Sequence, residues 1–528
     1  MNKKVQVWIP LLFSVAMILG MYFGYQVRDN MPGKKFFSID KSSPLQEVLS
    51  LISNRYVDDV KLGDLGDTAI IAMLNKLDPH SVFIPKEELQ EVNDDIAGQF
   101  YGIGLEFNIF DDTINVITVL PDGPSFRAGL KSGDKFLKIN DSVVTGKKIN
   151  SEKVRKFLRG DRDTKVTITV LRNGQQKAFT VIRDIIPTTS VDAAYFVEPG
   201  TAYIKISKFS QKTYVEFMQA MERLQKQGLK KLILDLRGNP GGVLDQATEI
   251  ADEFLDGDKL ITYTEGVHFP KKEYRCKRPG LFEKGALVLL MDEGSASASE
   301  VLSGALQDWD RATIVGRRSF GKGLVQEQYD LSDGSALRLT IARYYTPIGR
   351  SIQRPYTKGS KAYMEEISNR SHDGELLSAD SVKNDTTKLY KTMGGKKVYG
   401  GGGITPDIFI PIDTGNYSLN TARIFISNTI GDFAYKYSLR NQQQLSNYKT
   451  PADFARSFSL TAADWKQFGA FIVKDSVSIN NITGKEKEET LLRIKAYIAR
   501  QLWRSEGFYE VYNTGDTGLK KALEVINK

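Results

Sequence analysis

The chain has 528 residues, too many for one small domain, and its 41% hydrophobic and 26% charged residues leave ample material for a sizeable core. Lysine and arginine number 72 against 64 aspartates and glutamates, with no long basic block and no aromatic-interleaved arginine run, so no nucleic-acid partner is implied. No cluster of histidine, cysteine and carboxylate has metal-ligand spacing, so no metal and no other cofactor is expected, and the single Cys276 cannot close an internal disulfide.

After Lys3 and Lys4, the stretch from Val5 to Val27 carries no charge, which is the length a bilayer-crossing helix of about 20 apolar residues needs. Basic residues ahead of it, with everything behind exported, fit the positive-inside tendency. A cleaved signal peptide is the alternative, but the small-x-small site Ser14-Val15-Ala16 falls inside the apolar run rather than after it. The expectation is a membrane anchor within residues 1–30. The remainder then sits in the cell envelope on the periplasmic side of the inner membrane, or is released from it if the segment is cleaved.

Residues 40–96 carry helical apolar spacing at Leu45, Val48, Leu49, Ile52, Ile70, Ile71 and Leu74, broken at Asp78-Pro79-His80-Ser81 and resumed in KEELQEVNDDI. This reads as a small helical domain, with His80 a turn residue. From 97 to 184 the texture changes to short strands. YGIGLEFNIF and INVITVL flank Asp111-Asp112, SEKVRKFLRG is helix-like, and a strand pair surrounds Asn173-Gly174.

Between 185 and 412 strands and helices alternate: TAYIKIS, then TYVEFMQAMERLQKQG; KLILDLR, then LDQATEIADEFL; ALVLLMD, then ASEVLSGALQDW; and finally ATIVG. Such alternation predicts an α/β layered core in which KLILDL and ALVLLM are buried strands. The region from 413 to 528 is polar and mainly helical, ending in the amphipathic LLRIKAYIARQLW, and matches no motif. Cys276 lies in the polar PKKEYRCKRPG, expected to be a loop with an incidental thiol.

Gly316-x-x-x-x-Gly321-Lys322 is one residue short of a phosphate-binding loop, because Gly323 stands where Ser or Thr would bind magnesium. LVQEQYDL then alternates like a strand and turns at Asp333-Gly334 into ALRLTIARYY, so the helix such a loop requires is missing. A lysine in a glycine-rich turn between buried strands has another use. Desolvated, it can serve as a neutral general base. A nucleophile for it lies in MDEGSASASEVLSGALQD, where a buried strand meets a helix whose free amides could stabilise an oxyanion. Ser295, Ser297 and Ser299 compete for that role, and a serine-rich helix cap explains the pattern equally well. The three histidines, His80, His268 and His372, lie in polar or turn surroundings, so serine chemistry here would use lysine.

At this point the chain resembles the carboxy-terminal processing peptidases, or tail-specific proteases. The likeness runs from about Leu77 to Pro411 through LDPHS, YGIGLEF, PDGPSFRAGLKSGDKFLKIND, LILDLRGNPGGVLDQA, GSASASE, SFGKGLVQ, YYTPIGRSIQ and GGGITPD, in that order. The resemblance implies a crotonase- or ClpP-like α/β protease core with an inserted β-rich PDZ domain. It places the nucleophile at Ser297 and the base at Lys322, 25 residues on. Gln326 would orient the lysine, since four residues along an alternating strand keep it on one face with position 322. The oxyanion hole would use the amide of Ala298 with one from the Gly241-Gly242 turn, and Asp308 would be structural support.

In the PDZ segment, the amides of Gly102, Ile103, Gly104 and Leu105 would receive a peptide's terminal carboxylate, and the peptide would add as a strand. The implied activity is a serine endopeptidase acting on proteins with accessible C-termini through an acyl-enzyme. Homo-oligomer and adaptor contacts are left open. A silent PDZ scaffold, a crotonase-like acyl-CoA enzyme and an NTPase are the rival readings. Ser297, Lys322 and Gln326 together weigh against the first, the PDZ-like insertion and export against the second, and the strand after Lys322 against the third.

Overall fold

Alternating apolar runs become a six-stranded sheet in the computed structural model, which describes residues 13–23, 44–110, 112–146, 149–412, 417–473, 477–480 and 482–528. The order is Val191–Glu198, Thr201–Ile206, Lys231–Asp235, Ala286–Met291, Thr313–Gly316 and Ile408–Phe409. The first pair is antiparallel and every later pair parallel, as crossover helices require. Lys231–Asp235 and Ala286–Met291 are buried along nearly their whole length because helices cover both faces. On one face Phe217, Ala251 and Leu302 pack from the helices Thr213–Lys226, Leu244–Asp252 and Ala298–Asp308. On the other, Leu519, Ala522 and Ile526 of the helix Thr517–Ile526 pack against Tyr203, Ile233, Val288 and Leu290. The last helix of the chain therefore completes the central core.

A second sheet stands beside the first. Its long strand Ala336–Tyr345 pairs with Val82–Ile84, with Leu260–Glu265 and, across the Asp333-Gly334 turn, with Leu324–Asp330. The β-rich domain between residues 99 and 187 has its own core of Ile114, Val116, Phe136, Ile168, Val170 and Val181. Its sheet runs Leu105–Phe110, Thr113–Val119, Lys135–Ile139, Lys165–Arg172, Gln175–Ile182, which leaves Leu105–Phe110 as an edge strand. Asn173 (φ 52°) and Gly174 (φ 78°) make the tight left-handed turn that hairpin twist favours. Gln99–Gly102 pairs with Asp184–Pro187 and closes the domain's neck.

The C-terminal helices have a separate core that includes Phe433, Phe454, Phe468, Ile494 and Ile498. They lean on the β-rich domain, where Tyr435 stacks on Phe110 at 5.5 Å and donates to Val116 O at 3.1 Å. The helix Gly484–Tyr512 kinks at Trp503 and Arg504, between Arg500, which pairs with Glu106 at 3.1 Å, and Glu506, which accepts from Ala194 N at 3.3 Å.

The chain divides into residues 1–72 and 73–528. In the first unit, the helix Pro44–Arg55 has Glu47 in its first turn and Arg55 in its last, complementing its dipole, and the helix Leu62–Leu74 begins there and ends just past the boundary. Residues 13–23 are helical, while the rest of the apolar N-terminal stretch lies outside the described residues. Among the described residues no helix is long and apolar enough to cross a membrane. Cys276 lies in a loop as expected, just after the strand Lys272–Arg275, but it is 6% exposed in the central core, where burial and Asp252 push its thiol up to about 12.

Candidate active site

The strand Ala286–Met291 ends in a turn whose three serines face different surroundings. Ser295 is fully buried and donates to Leu236 O at 2.8 Å, and Ser299 is fully buried and donates to Asn239 O at 3.0 Å. Both hydroxyls are spent on main-chain carbonyls. Ser297 is only half-buried, and its hydroxyl donates to no carbonyl or carboxylate among the described residues. It caps the helix Ala298–Asp308 with φ 54° and ψ −115°, a conformation that costs a non-glycine residue about 1–3 kcal/mol and persists only where the surroundings over-determine it.

Those surroundings centre on Glu300, which is fully buried. Its Oε2 accepts from Ser297 N and from Lys322 N, both at 2.8 Å. Its Oε1 accepts from Gly321 N at 2.7 Å and from the Ser319 hydroxyl. Burial pushes the Glu300 carboxyl up to about 7, while its four donors favour the ionised form. Sequence reasoning missed this residue, although Ser297-x-x-Glu300 ahead of an apolar run is a readable capping box.

Lys322 sits in the loop that Glu300 holds. Gly323 N is tied to Gln353 Oε1 at 2.8 Å, and Gly321 O accepts from Arg354 N at 3.0 Å. Burial, and then the charge of Arg338, bring the Lys322 ammonium down to about 8, against the opposing pull of Glu300 and Asp78. A lysine near 8 has a substantial neutral fraction at physiological pH and can act as a base.

Gln326 departs from the expected geometry. The register shifts between Val325 and Gln326, with Ile341 of the opposite strand as the extra residue, and Lys322 lies ahead of Leu324–Asp330, so strand alternation does not relate positions 322 and 326. Gln326 Nε2 instead donates to Thr340 Oγ1 at 3.3 Å, across the hairpin, and among the described residues it shares no hydrogen bond with Lys322. Thr340 Oγ1 in turn donates to Asp78 Oδ1 at 3.1 Å. Because the Thr340 proton goes to a carboxylate, Gln326 must present its N–H to Thr340, which leaves its Oε1 as an acceptor for another donor. His80 is also more than a turn residue: its Nε2 lies 2.9 Å from Tyr363 Oη and its ring meets Phe320 edge-on. Burial and the Lys322 charge lower it to about 4, so it is a neutral wall of the lysine pocket.

The Gly241-Gly242 turn abuts the Ser297 turn. A Cβ on Gly241 would lie 2.7 Å from Ser297 Cβ and 2.9 Å from Ala298 N, and one on Gly242 would lie 2.0 Å from Phe209 O, so only glycine fits either position. The two amides differ. Gly241 N is committed to Asn239 Oδ1 at 2.8 Å, whereas the amides of Gly242 and Ala298 have no acceptor among the described residues. Asn239 also accepts from Ala296 N at 2.9 Å, which locks the two turns together. The expected donor pair thus narrows to Ala298 and Gly242. Asp308, at the far end of the helix, forms an ion pair with Arg350, both fully buried, and accepts from Ile348 N at 3.2 Å.

In the β-rich domain, Gly102, Ile103, Gly104 and Leu105 line one groove of about 350 Å³ with Arg155 and Leu158 of the helix Ser151–Leu158. The carbonyls of Ile103 and Gly104 are held from behind by Ser125 N and Leu120 N, each at 2.9 Å, while their amides have no acceptor among the described residues. Phe100 and Arg159 line both this groove and a neighbouring cavity of about 410 Å³ that reaches Arg338. Among the described residues no group of three His, Cys, Asp or Glu could hold a metal ion.

Comparison with known proteins accords with this arrangement. Residues 200–359 match Peptidase family S41, residues 102–182 match a PDZ domain, and residues 421–504 match a family of unknown function (DUF8443). A carboxy-terminal-processing protease of Bartonella bacilliformis is 37% identical over 316 residues, covering 58% of this chain and 71% of that protein. A probable CtpA-like serine protease of Staphylococcus saprophyticus is 34% identical over 312 residues, 58% of this chain and 62% of that one. The solved photosystem II D1 C-terminal processing protease is 26% identical, covers 69% of this chain and 91% of its own, and has a TM-score of 0.34. The identity to the Bartonella protein over more than two thirds of its length shows that the chain belongs to peptidase family S41, as a serine-type peptidase of the carboxy-terminal-processing kind that carries a PDZ domain.

Proposed function

We propose that this protein cuts polypeptides by a Ser297–Lys322 acyl-enzyme mechanism after its PDZ groove has taken hold of a free C-terminus. The observation that carries the reading is the pairing of a strained, half-buried Ser297 with a lysine brought down to about 8, both anchored by their amides to one oxygen of Glu300.

The tail's carboxylate meets the amides of Ile103 and Gly104, and its backbone adds to the open edge of Leu105–Phe110. The chain upstream passes Phe100, Arg159 and Arg338 toward Ser297. Neutral Lys322 takes the Ser297 hydroxyl proton as the oxygen attacks the scissile carbonyl, and the amides of Ala298 and Gly242 stabilise the resulting oxyanion. Lys322 returns that proton to the leaving amine, and the acyl-enzyme forms. Water, deprotonated by the same lysine, then attacks the ester, and the proton passes back to Ser297. Gln326 would hold the neutral amine through its Oε1, with Thr340 and Asp78 fixing its orientation. The apolar segment from Val5 to Val27 would keep the enzyme at the membrane, acting on exported proteins on the periplasmic side.

The test uses an unstructured protein ending in an apolar tail, with its C-terminus free or amidated, incubated with the wild type and with Ser297→Ala. Cleavage by the wild type alone, slowed by amidation, is expected. Equal cleavage of both tails would remove the carboxylate-reading step, and cleavage by the alanine variant would remove the nucleophile.

A further inference from the structure

Glu300 accounts for only half of the contact between the two turns. The carbonyls of Ser297 and Lys322 also share a neighbour, the side chain of Tyr344. It lies on Ala336–Tyr345, pairs with Thr264 and is 2% exposed. Its own amide donates to Gly323 O at 3.1 Å, which places it against the lysine loop. Its hydroxyl lies 3.1 Å from Ser297 O and within hydrogen-bond reach of Lys322 O.

The two carbonyls are not equally provided for. Ser297 O also accepts from Glu300 N at 2.8 Å and Val301 N at 3.0 Å. Lys322 O has no other donor among the described residues. A phenol has one proton to offer, so the Tyr344 hydroxyl holds Lys322 O while staying against Ser297 O. Glu300 clasps the dyad's amides and Tyr344 clasps its carbonyls. Burial and the nearby Glu300 charge push the phenol well above its ordinary range, so it remains a donor throughout the working range of pH.

We infer that Tyr344 is a positioning residue for the dyad: the hydroxyl held between the carbonyls of Ser297 and Lys322 sets the separation of the nucleophile turn and the base loop. The inference rests on the Ser297–Lys322 reading. Without the hydroxyl, the orphaned Lys322 carbonyl turns toward water, and the lysine side chain leaves its dry pocket with it. Tyr345 next door stacks on Tyr263 at 4.8 Å and, among the described residues, its side chain shares no hydrogen bond with either turn, which makes it the neighbouring control.

The experiment compares wild type, Tyr344→Phe, Tyr345→Phe and a variant with 4-aminophenylalanine at position 344, whose two N–H groups can serve both carbonyls. Rates are taken per active site, counted with a covalent serine label, across pH. Tyr344→Phe should lose about 10- to 100-fold in kcat with KM unchanged, as a small misplacement of reacting groups does. Its acidic limb should move from about 8 toward the ordinary lysine range. The 4-amino variant and Tyr345→Phe should stay within about threefold of wild type with the limb in place. A folded Tyr344→Phe enzyme with unchanged kcat and limb would overturn the inference. Should Tyr344→Phe fail to fold, the 4-amino variant decides: wild-type kcat and limb support the inference, and a folded but slow enzyme contradicts it. A wild type that never labels at Ser297 strikes the dyad reading itself, not the role of Tyr344.

Discussion

Ser297 and Lys322 are bound to the same oxygen atom: each donates its backbone amide to Glu300 Oε2 at 2.8 Å. Residues 25 apart in the chain thus share one rigid reference point, and their side chains inherit the geometry of their main chains. Glu300→Gln would put an NH₂ group where only acceptors belong, against four donors. The expected cost is about 2–5 kcal/mol with loss of turnover, read by thermal melting beside a peptidase assay. A variant that melts with wild type and cleaves normally would show that Glu300 is not the anchor.

The Lys322 ammonium is disfavoured in the fold, so its pKa falls from 10.5 to about 8. Between those values the unfolded chain binds more protons than the native one, so stability rises with pH across that window. Lys322→Met should therefore stabilise the protein by ~3 kcal/mol at pH 7, abolish cleavage, and lose its stability advantage by pH 10.5. Paired melts at the two pH values check both the sign and the window.

Arg338 is the second cause of that depression, after burial. Arg338→Gln removes the repelling charge, so the acidic limb of kcat/KM should move to higher pH, by about half to one unit, while Arg338→Lys leaves it near wild type. A limb that stays at wild-type pH in both variants would assign the depression to burial alone.

In the groove, Gly104 has φ 69°, and a Cβ there would lie 3.1 Å from Ile186 Cδ1 and 3.3 Å from Pro124 Cδ. Gly104→Val should distort the carboxylate loop and weaken tail binding at least about tenfold. Hydrolysis of a small ester that never reaches the groove should be unaffected. Fluorescence anisotropy with a tail peptide and an ester assay separate the two sites.

The C-terminal region is joined to both functional parts. Arg237, just ahead of the Gly241-Gly242 turn, is held by Asp516 at 3.0 Å, and the next helix, Thr517–Ile526, caps the central sheet with Leu519 and Ile526. Deleting residues 517–528 uncovers Ile233, Val288 and Leu290 and should cost about 3–5 kcal/mol, seen as a lower melting temperature.

Much of this was legible from local pattern. Asn173-Gly174 and Asp333-Gly334 each mark a hairpin in the structure, Phe110 pairs with Thr113 where a further turn was expected, and the apolar runs KLILDL and ALVLLM each became a buried strand. The missed features are those made by distant residues meeting. Nothing near Asp78 announces that it reaches Thr340 at 3.1 Å, nor does the text around Tyr344 show that it touches two turns far from it in sequence. The partner of Gln326 was not legible either: its Nε2 reaches Thr340 across the hairpin, where Ile341 is an extra residue in the opposite strand. What sets the three serines apart was also hidden in the sequence, because it lies in the positions of Leu236 O and Asn239 O, which take the hydroxyls of Ser295 and Ser299.

The central claim is that Ser297 attacks and Lys322 is its base. Wild type, Ser297→Ala and Lys322→Met, each judged folded by its melt, are incubated with a peptide phosphonate ester that phosphonylates activated serines with loss of its alcohol leaving group, digested and examined by mass spectrometry across pH. The account predicts one adduct, on Ser297, in the wild type only, with a labelling rate that rises with pH about a midpoint near 8. An adduct on another serine, or undiminished labelling of Ser297 in Lys322→Met, would contradict it.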